Sequence, residues 1–221
     1  MVTKNDLQAL ANRIEELKDT FIPEKAPTGI YSQEDEARTA AFVILVHAEV
    51  EWFIEKRCQE VLTSAVDHWK LDNRPRSTVL SLLAFCNKGE TKLAPDGKEI
   101  KSQRASIRLI VDEAKKTYSK VLYNNHGIRV ENLLAILRPI GIREFQLPDT
   151  FLVDVDTFGT MRGRHAHRSI GAQTPPDPVD TLELVRRIVV GVSELDGHLQ
   201  VLENEGLAEV GDESRPNQSH V

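Results

Sequence analysis

From Ser32 to Trp69 the chain runs without a proline or a glycine. Nothing in that stretch stops a helix, and Ser32 followed three residues later by Asp35 is a capping-box start. Its middle, Ala40 to Ile54, is apolar nearly all round. A helix with that pattern belongs at the centre of a bundle, because every face has to be covered. This one segment rules out most β architectures, since the rest of the chain must pack around a long rod.

The flanking segments read the same way. In "NDLQALANRIEELKDTF", Leu7, Leu10, Ile14 and Leu17 form one stripe at helical spacing. "FIPEKAPTGIY" ends that helix with two prolines and a glycine. "DNRPRSTVLSLLAFCN" places a proline ahead of an apolar helix, and "KGETKLAPDGKEIK" is a loop turning on Pro-Asp-Gly. "IKSQRASIRLIVDEAKKTYSKVLYNN" is a long helix stopped at "NNHG", and "RVENLLAILRPIGI" is a short one ended by Pro139 and Gly141. "LPDTFLVDVDTFGTMRGRHAHRS" is a helix capped at Asp149 or Thr150, although "FLVDVDTF" alternates briefly. Asp177 and Pro178 supply the cap and first position of the last helix. The expected fold is an all-α, single-domain helical bundle. Residues 1–30 form an N-terminal helix and linker, 31–204 the helical domain, and 205–221 a disordered acidic tail.

The 221 residues carry a formal net charge of -6, so an overall basic footprint for nucleic acid is missing. Local clusters remain open. The most apolar run is broken by His47, Glu49 and Glu51 and falls short of the roughly 20 residues a membrane span needs. The charged N-terminus lacks a signal-peptide core, so a cytoplasmic location is expected. Cys58 and Cys86 have no metal-type spacing and read as buried free thiols. Phosphate-cradling glycine loops and H-E-x-x-H are missing from the sequence. "HAE" at 47–49 has the H-x-E form of a zinc deaminase but lacks P-C-x-x-C. It reads as a histidine and a carboxylate bonded inside the bundle.

The long helix and acidic tail allow a plain helical scaffold for a partner protein, but one stretch stands out from that reading. "TMRGRHAHRS", residues 160–169, puts three arginines and two histidines together in an acidic chain. On a helix, Phe151, Val155, Phe158 and Arg162 share one stripe, so a guanidinium ends an apolar face and needs a partner or an interface. A bland reading competes, because basic residues gather at helix C-termini to complement the dipole. The chemical reading is RNA cleavage. A neutral imidazole takes the 2′-hydroxyl proton, an imidazolium protonates the leaving 5′-oxygen, and a guanidinium forks onto the phosphate. His167 lies about 140° from Arg162 on an ideal helix, and His165 lies nearer. His167 therefore joins Arg162 only where the helix loosens or a second chain shapes the cleft.

The Arg162-x4-His167 pattern on a late helix of an all-α bundle resembles the HEPN superfamily, in particular its prokaryotic RiboL-PSP-HEPN group. "AAFVILVHAEVEWFIEKRCQEVL" looks like the early HEPN helix, with Glu51 ahead of Trp52 and Phe53. "YNNHGIRVENLLAILRPIGI" looks like the family's Asn-rich turn and short helix. The resemblance spans roughly residues 33–200. It implies a metal-independent, cofactor-free endoribonuclease, a toxin or antiviral-defence effector whose homodimer joins two motifs across a shared cleft. It also implies an antitoxin or defence-system partner protein. Arg162 would hold the scissile phosphate and His167 would move protons. Arg164, His165 and Arg168 would contact RNA, and Glu51 would orient the arginine or histidine. Gly163 and Arg168 depart from the residues usual beside the motif. The alternative is therefore a silent HEPN domain that binds RNA or only dimerises.

Overall fold

The longest element sets the frame for the rest. The structure, a computed structural model, describes residues 5–24, 26, 29–86, 100–167 and 175–205, and their side chains except at 5, 100–106, 166 and 167. The expected Pro-Asp-Gly turn and the tail beyond Glu205 lie outside the described residues. Helix α2 spans Gln33–Asp72, 40 residues, or about 60 Å of rod. Ser32 caps it as expected. Its hydroxyl accepts from the Asp35 N–H while the Asp35 carboxylate accepts from the Ser32 N–H. Asn73 ends it in the left-handed region at φ 59°, donating its N–H to the Trp69 carbonyl. Asparagine tolerates that conformation, and Pro75 then prevents a restart of the same helix.

The other helices are α1 (Asn5–Phe21), α3 (Ser77–Cys86), α4 (Ile100–Tyr123), α5 (Val130–Leu137), α6 (Asp149–His167) and α7 (Pro178–Glu203). Short 3₁₀ turns at Arg138–Ile140 and Glu144–Gln146 link α5 to α6. Among the described residues there is no strand. Each of the six other helices packs on α2, which buries Phe42, Val46, Val50, Phe53, Ile54 and further residues down to Trp69. Leu10, Ile14 and Leu17 of α1 lie in that same core, each burial worth about 2 kcal/mol. The N-terminal helix is therefore sealed onto the bundle.

Two details differ from the sequence reading. Helix α6 starts at Asp149, with the Leu152 N–H bonded to the Pro148 carbonyl, so the cap falls on Pro148. Asp149 instead sits in the first turn, where its charge complements the dipole. Glu205, expected in the tail, is anchored: its carboxylate accepts from the Ser77 N–H and hydroxyl at the start of α3. Of the two free thiols, Cys58 is fully buried and pushed up to about 12 by burial, whereas Cys86 is only partly buried.

Helices α2 and α7 are joined by charge as well as by packing. Arg57 is fully buried and donates to Asp196 at 2.6 Å, Glu60 at 2.6 Å and Glu203 at 3.2 Å. Burial weighs against its charge, but Asp196, Glu60 and Glu203 outweigh it and push its pKa up. Helix α7 also takes α6. A Cβ at Gly191 would fall 2.1 Å from Phe151 Cδ2, so the ring packs directly against that glycine. Arg187 grips Asp154 through two nitrogens at 2.9 Å each.

Removing one partner strands a buried guanidinium. Asp196→Ala is expected to cost about 3 kcal/mol in urea unfolding, and a loss under about 1 kcal/mol would show that Arg57 is not held there. Gly191→Ala is expected to cost roughly 1–3 kcal/mol by overpacking, with Phe151→Leu in the same chain recovering part of it.

Candidate active site

Residues four apart share a helix face. On α2 that places His47, Glu51 and Glu55 in one row. His47 is 2% exposed; its ring stacks on Phe158 of α6, centroids 6.0 Å apart, and its Nδ1 lies 3.5 Å from Glu51 Oε2. The carboxylate that meets His47 inside the bundle is thus Glu51, one helical turn on, and not Glu49 of the H-x-E spacing. Glu49 points to another side and accepts from Arg13 at 3.1 Å.

The turn after α4 closes over this row. Asn125 donates its amide to Glu55 Oε1 at 2.8 Å and to the Gly127 carbonyl at 3.0 Å. Gly127 stands at φ +136°, where a side chain is strained, and a Cβ there would touch the His47 ring at 3.7 Å. Its N–H donates to Glu51. Burial opposes the Glu51 charge. The His47 bond and charge, the Gly127 N–H and the charge of Arg162 prevail, and hold the carboxyl below its ordinary value. Glu55 goes the other way. Burial and the Glu51 charge raise it against the Asn125 bond and the charge of His126.

Helix α6 brings the arginine. Phe151, Val155 and Phe158 are buried in line, as the stripe predicts, and Arg162 ends the line half-buried. Its charge acts on Glu51. Among the described residues Arg162 makes no hydrogen bond or ion pair within the chain. Gly163 has open space around it, with nothing within 4 Å of a Cβ position. Arg164 is exposed and His165 half-buried, and each engages a group of the chain. His167 is the last residue of α6, but its side chain lies outside the described residues, as does Arg168 altogether. The structure therefore brings Arg162 to Glu51 and leaves the position of the histidine's ring open.

Trp52, next to Glu51, is 60% exposed with Lys56 Nζ 5.2 Å above its ring, while Phe53 is buried. His47, Glu55, Asn125 and His126 join the site without having been assigned to it from sequence. The four-residue spacing of His47, Glu51 and Glu55 is the signal that could have found the first two. The remaining pair needs the turn to be folded back onto α2, which spacing does not reveal.

Chemically, the site offers a guanidinium with no hydrogen bond or ion pair among the described residues, beside a carboxylate held ionised. A second carboxyl, Glu55, is raised above its ordinary value by burial, and His47 and His126 lie nearby. Among the described residues no cluster of His, Cys, Asp or Glu is grouped to hold a metal, and no helix is long and apolar enough to cross a membrane. Comparison with family models, with curated proteins and with solved structures finds no match.

The two carboxyls make opposite predictions for stability. Glu51, lowered from 4.5, stabilises the fold above that value, and the contribution disappears as pH falls through its folded pKa. Glu55, raised from 4.5, weakens the fold once ionised, and the cost disappears as pH falls toward 4.5. Thermal melts should show Glu51→Gln less stable and Glu55→Gln more stable than wild type at pH 7. Both differences should shrink in acid. The same sign for both would contradict the assignment.

Proposed function

We propose that this chain is a metal-independent endoribonuclease of HEPN type that cuts RNA through attack by the RNA's own 2′-hydroxyl. The observation that carries the reading is Arg162. An arginine at the end of a core stripe, half-buried and with no hydrogen bond or ion pair among the described residues, is a planar fork that can take a phosphate. Glu51 faces it from α2, ionised and tied by His47 and Gly127, and so orients it without closing the fork.

In the proposed reaction Arg162 binds two non-bridging oxygens of the scissile phosphate and offsets the charge that builds on them. A neutral His167 imidazole takes the proton of the 2′-hydroxyl, whose oxygen bonds to phosphorus. The bond from phosphorus to the 5′-oxygen breaks, and that oxygen takes a proton from an imidazolium. The products are a 2′,3′-cyclic phosphate and a 5′-hydroxyl. A homodimer supplies two copies of His167, one as base and one as acid, in a cleft made between chains. Arg164, His165 and Arg168 then hold the RNA backbone. An effector of this kind acts as a toxin or in antiviral defence, restrained by an antitoxin or defence-system partner.

The test is a labelled single-stranded RNA incubated with the purified chain in EDTA. Cleavage with cyclic phosphate ends is expected, with the matching DNA left whole. Arg162→Ala and His167→Ala should each lower the rate by about 100-fold or more. Cleavage that needs added metal, or that survives both substitutions, refutes the reading. RNA bound and left uncut would indicate the silent domain, which Gly163 and Arg168 favour.

A further inference from the structure

A concavity lies beside the turn at residues 124–127. It is an open groove of about 620 Å³ between α4 and α5, and Thr117, Lys120, Asn124, Asn125, Glu131 and Asn132 are among its walls. That volume suits a nucleotide-sized ligand. Three of these residues are carboxamides, each carrying both donors and an acceptor. Asn125 is committed to Glu55 and Gly127. Among the described residues the side chains of Asn124, Asn132, Lys120 and Glu131 make no hydrogen bond or ion pair.

The chemistry of the walls narrows the ligand. One ammonium beside one carboxylate is a poor trap for a free anion. Carboxamides are suited to the edges of unstacked nucleobases, and a carboxylate accepts from the exocyclic amine of cytosine. The groove also adjoins the site directly. Asn132 Nδ2 and His47 Nε2 both lie 3.8 Å from the place a Gly127 Cβ would occupy, so the Asn132 amide at the groove stands close to the His47 ring. His47 in turn lies against Glu51, which faces Arg162.

We infer that this groove receives an unpaired RNA base beside the phosphate held by Arg162, with Asn132 and Glu131 reading its amino-bearing edge. Lys120 takes a flanking phosphate. The place of the scissile phosphate rests on the nuclease reading above, whereas the base preference belongs to the groove itself. Cytosine is favoured over uracil, which presents a carbonyl where cytosine presents the amine.

The experiment titrates fluorescent 2′-O-methyl hexamers of cytidine and of uridine onto the wild-type chain, since a methylated 2′-oxygen cannot attack. Cytidine should bind about tenfold more tightly than uridine. The ratio should fall to about one in the Asn132→Ala/Glu131→Ala double variant, with its circular dichroism unchanged. Equal affinities, absence of binding, or a ratio that survives in the double variant overturns the inference. Unmodified hexamers run alongside separate the two claims. If they stay whole while the methylated pair shows the preference, the groove stands and the nuclease reading falls. If they are cut with no base preference, the nuclease reading stands and the groove falls.

Discussion

A buried guanidinium at the middle of the longest helix holds the arrangement together. Arg57 satisfies its donors on Asp196 and Glu203 of α7 and on Glu60 of its own helix. A charge so deep is tolerated only when it is fully paired, so α7 has one angular setting against α2. From there the constraint passes outward. Gly191 on α7 leaves room for the Phe151 ring, and Arg187 fixes Asp154, which together set α6. Phe158 then lands on His47, and Arg162 arrives one turn further along, opposite Glu51.

The site uses that rigidity to keep unlike groups at short range. Glu51 and Glu55 sit one helical turn apart, yet their surroundings push them in opposite directions. Glu51 collects an imidazole, a backbone N–H and a nearby guanidinium, and stays ionised. Glu55 is raised above its ordinary value by burial and by the Glu51 charge, against the bond from Asn125. Between them the 124–127 turn is pinned by Asn125 and relies on glycine at 127, where the backbone passes against the His47 ring. Arg162 thus stands at one well-defined place in an acidic chain, with no hydrogen bond or ion pair among the described residues.

The helices were legible in the sequence because their signals are local. The Ser32 capping box, the Asp177-Pro178 start and the Leu10, Ile14 and Leu17 stripe each depend on residues a few positions apart. The alignment of Arg162 with Phe151, Val155 and Phe158 was legible for the same reason. What remained hidden depends on contacts between distant segments. Asn125 reaches Glu55 across 70 positions, and Glu205 reaches Ser77 across 128. His47 carries a local signal, but the H-x-E spacing drew attention to Glu49, whereas helical geometry pairs it with Glu51. The cap of α6 fell one residue early because Pro148 already supplied the carbonyl that the first turn needed.

The central claim is that Arg162 is an open fork for a phosphate. The most direct measurement is the ¹⁵N–¹H resonance of its Nε, assigned with Arg162→Lys, as a 2′-O-methyl RNA dinucleotide is added. The account predicts that this resonance moves and its solvent exchange slows, with no response to the corresponding free nucleosides. A resonance that stays put while the dinucleotide binds elsewhere, or one already protected by an internal partner before any ligand is added, would contradict it.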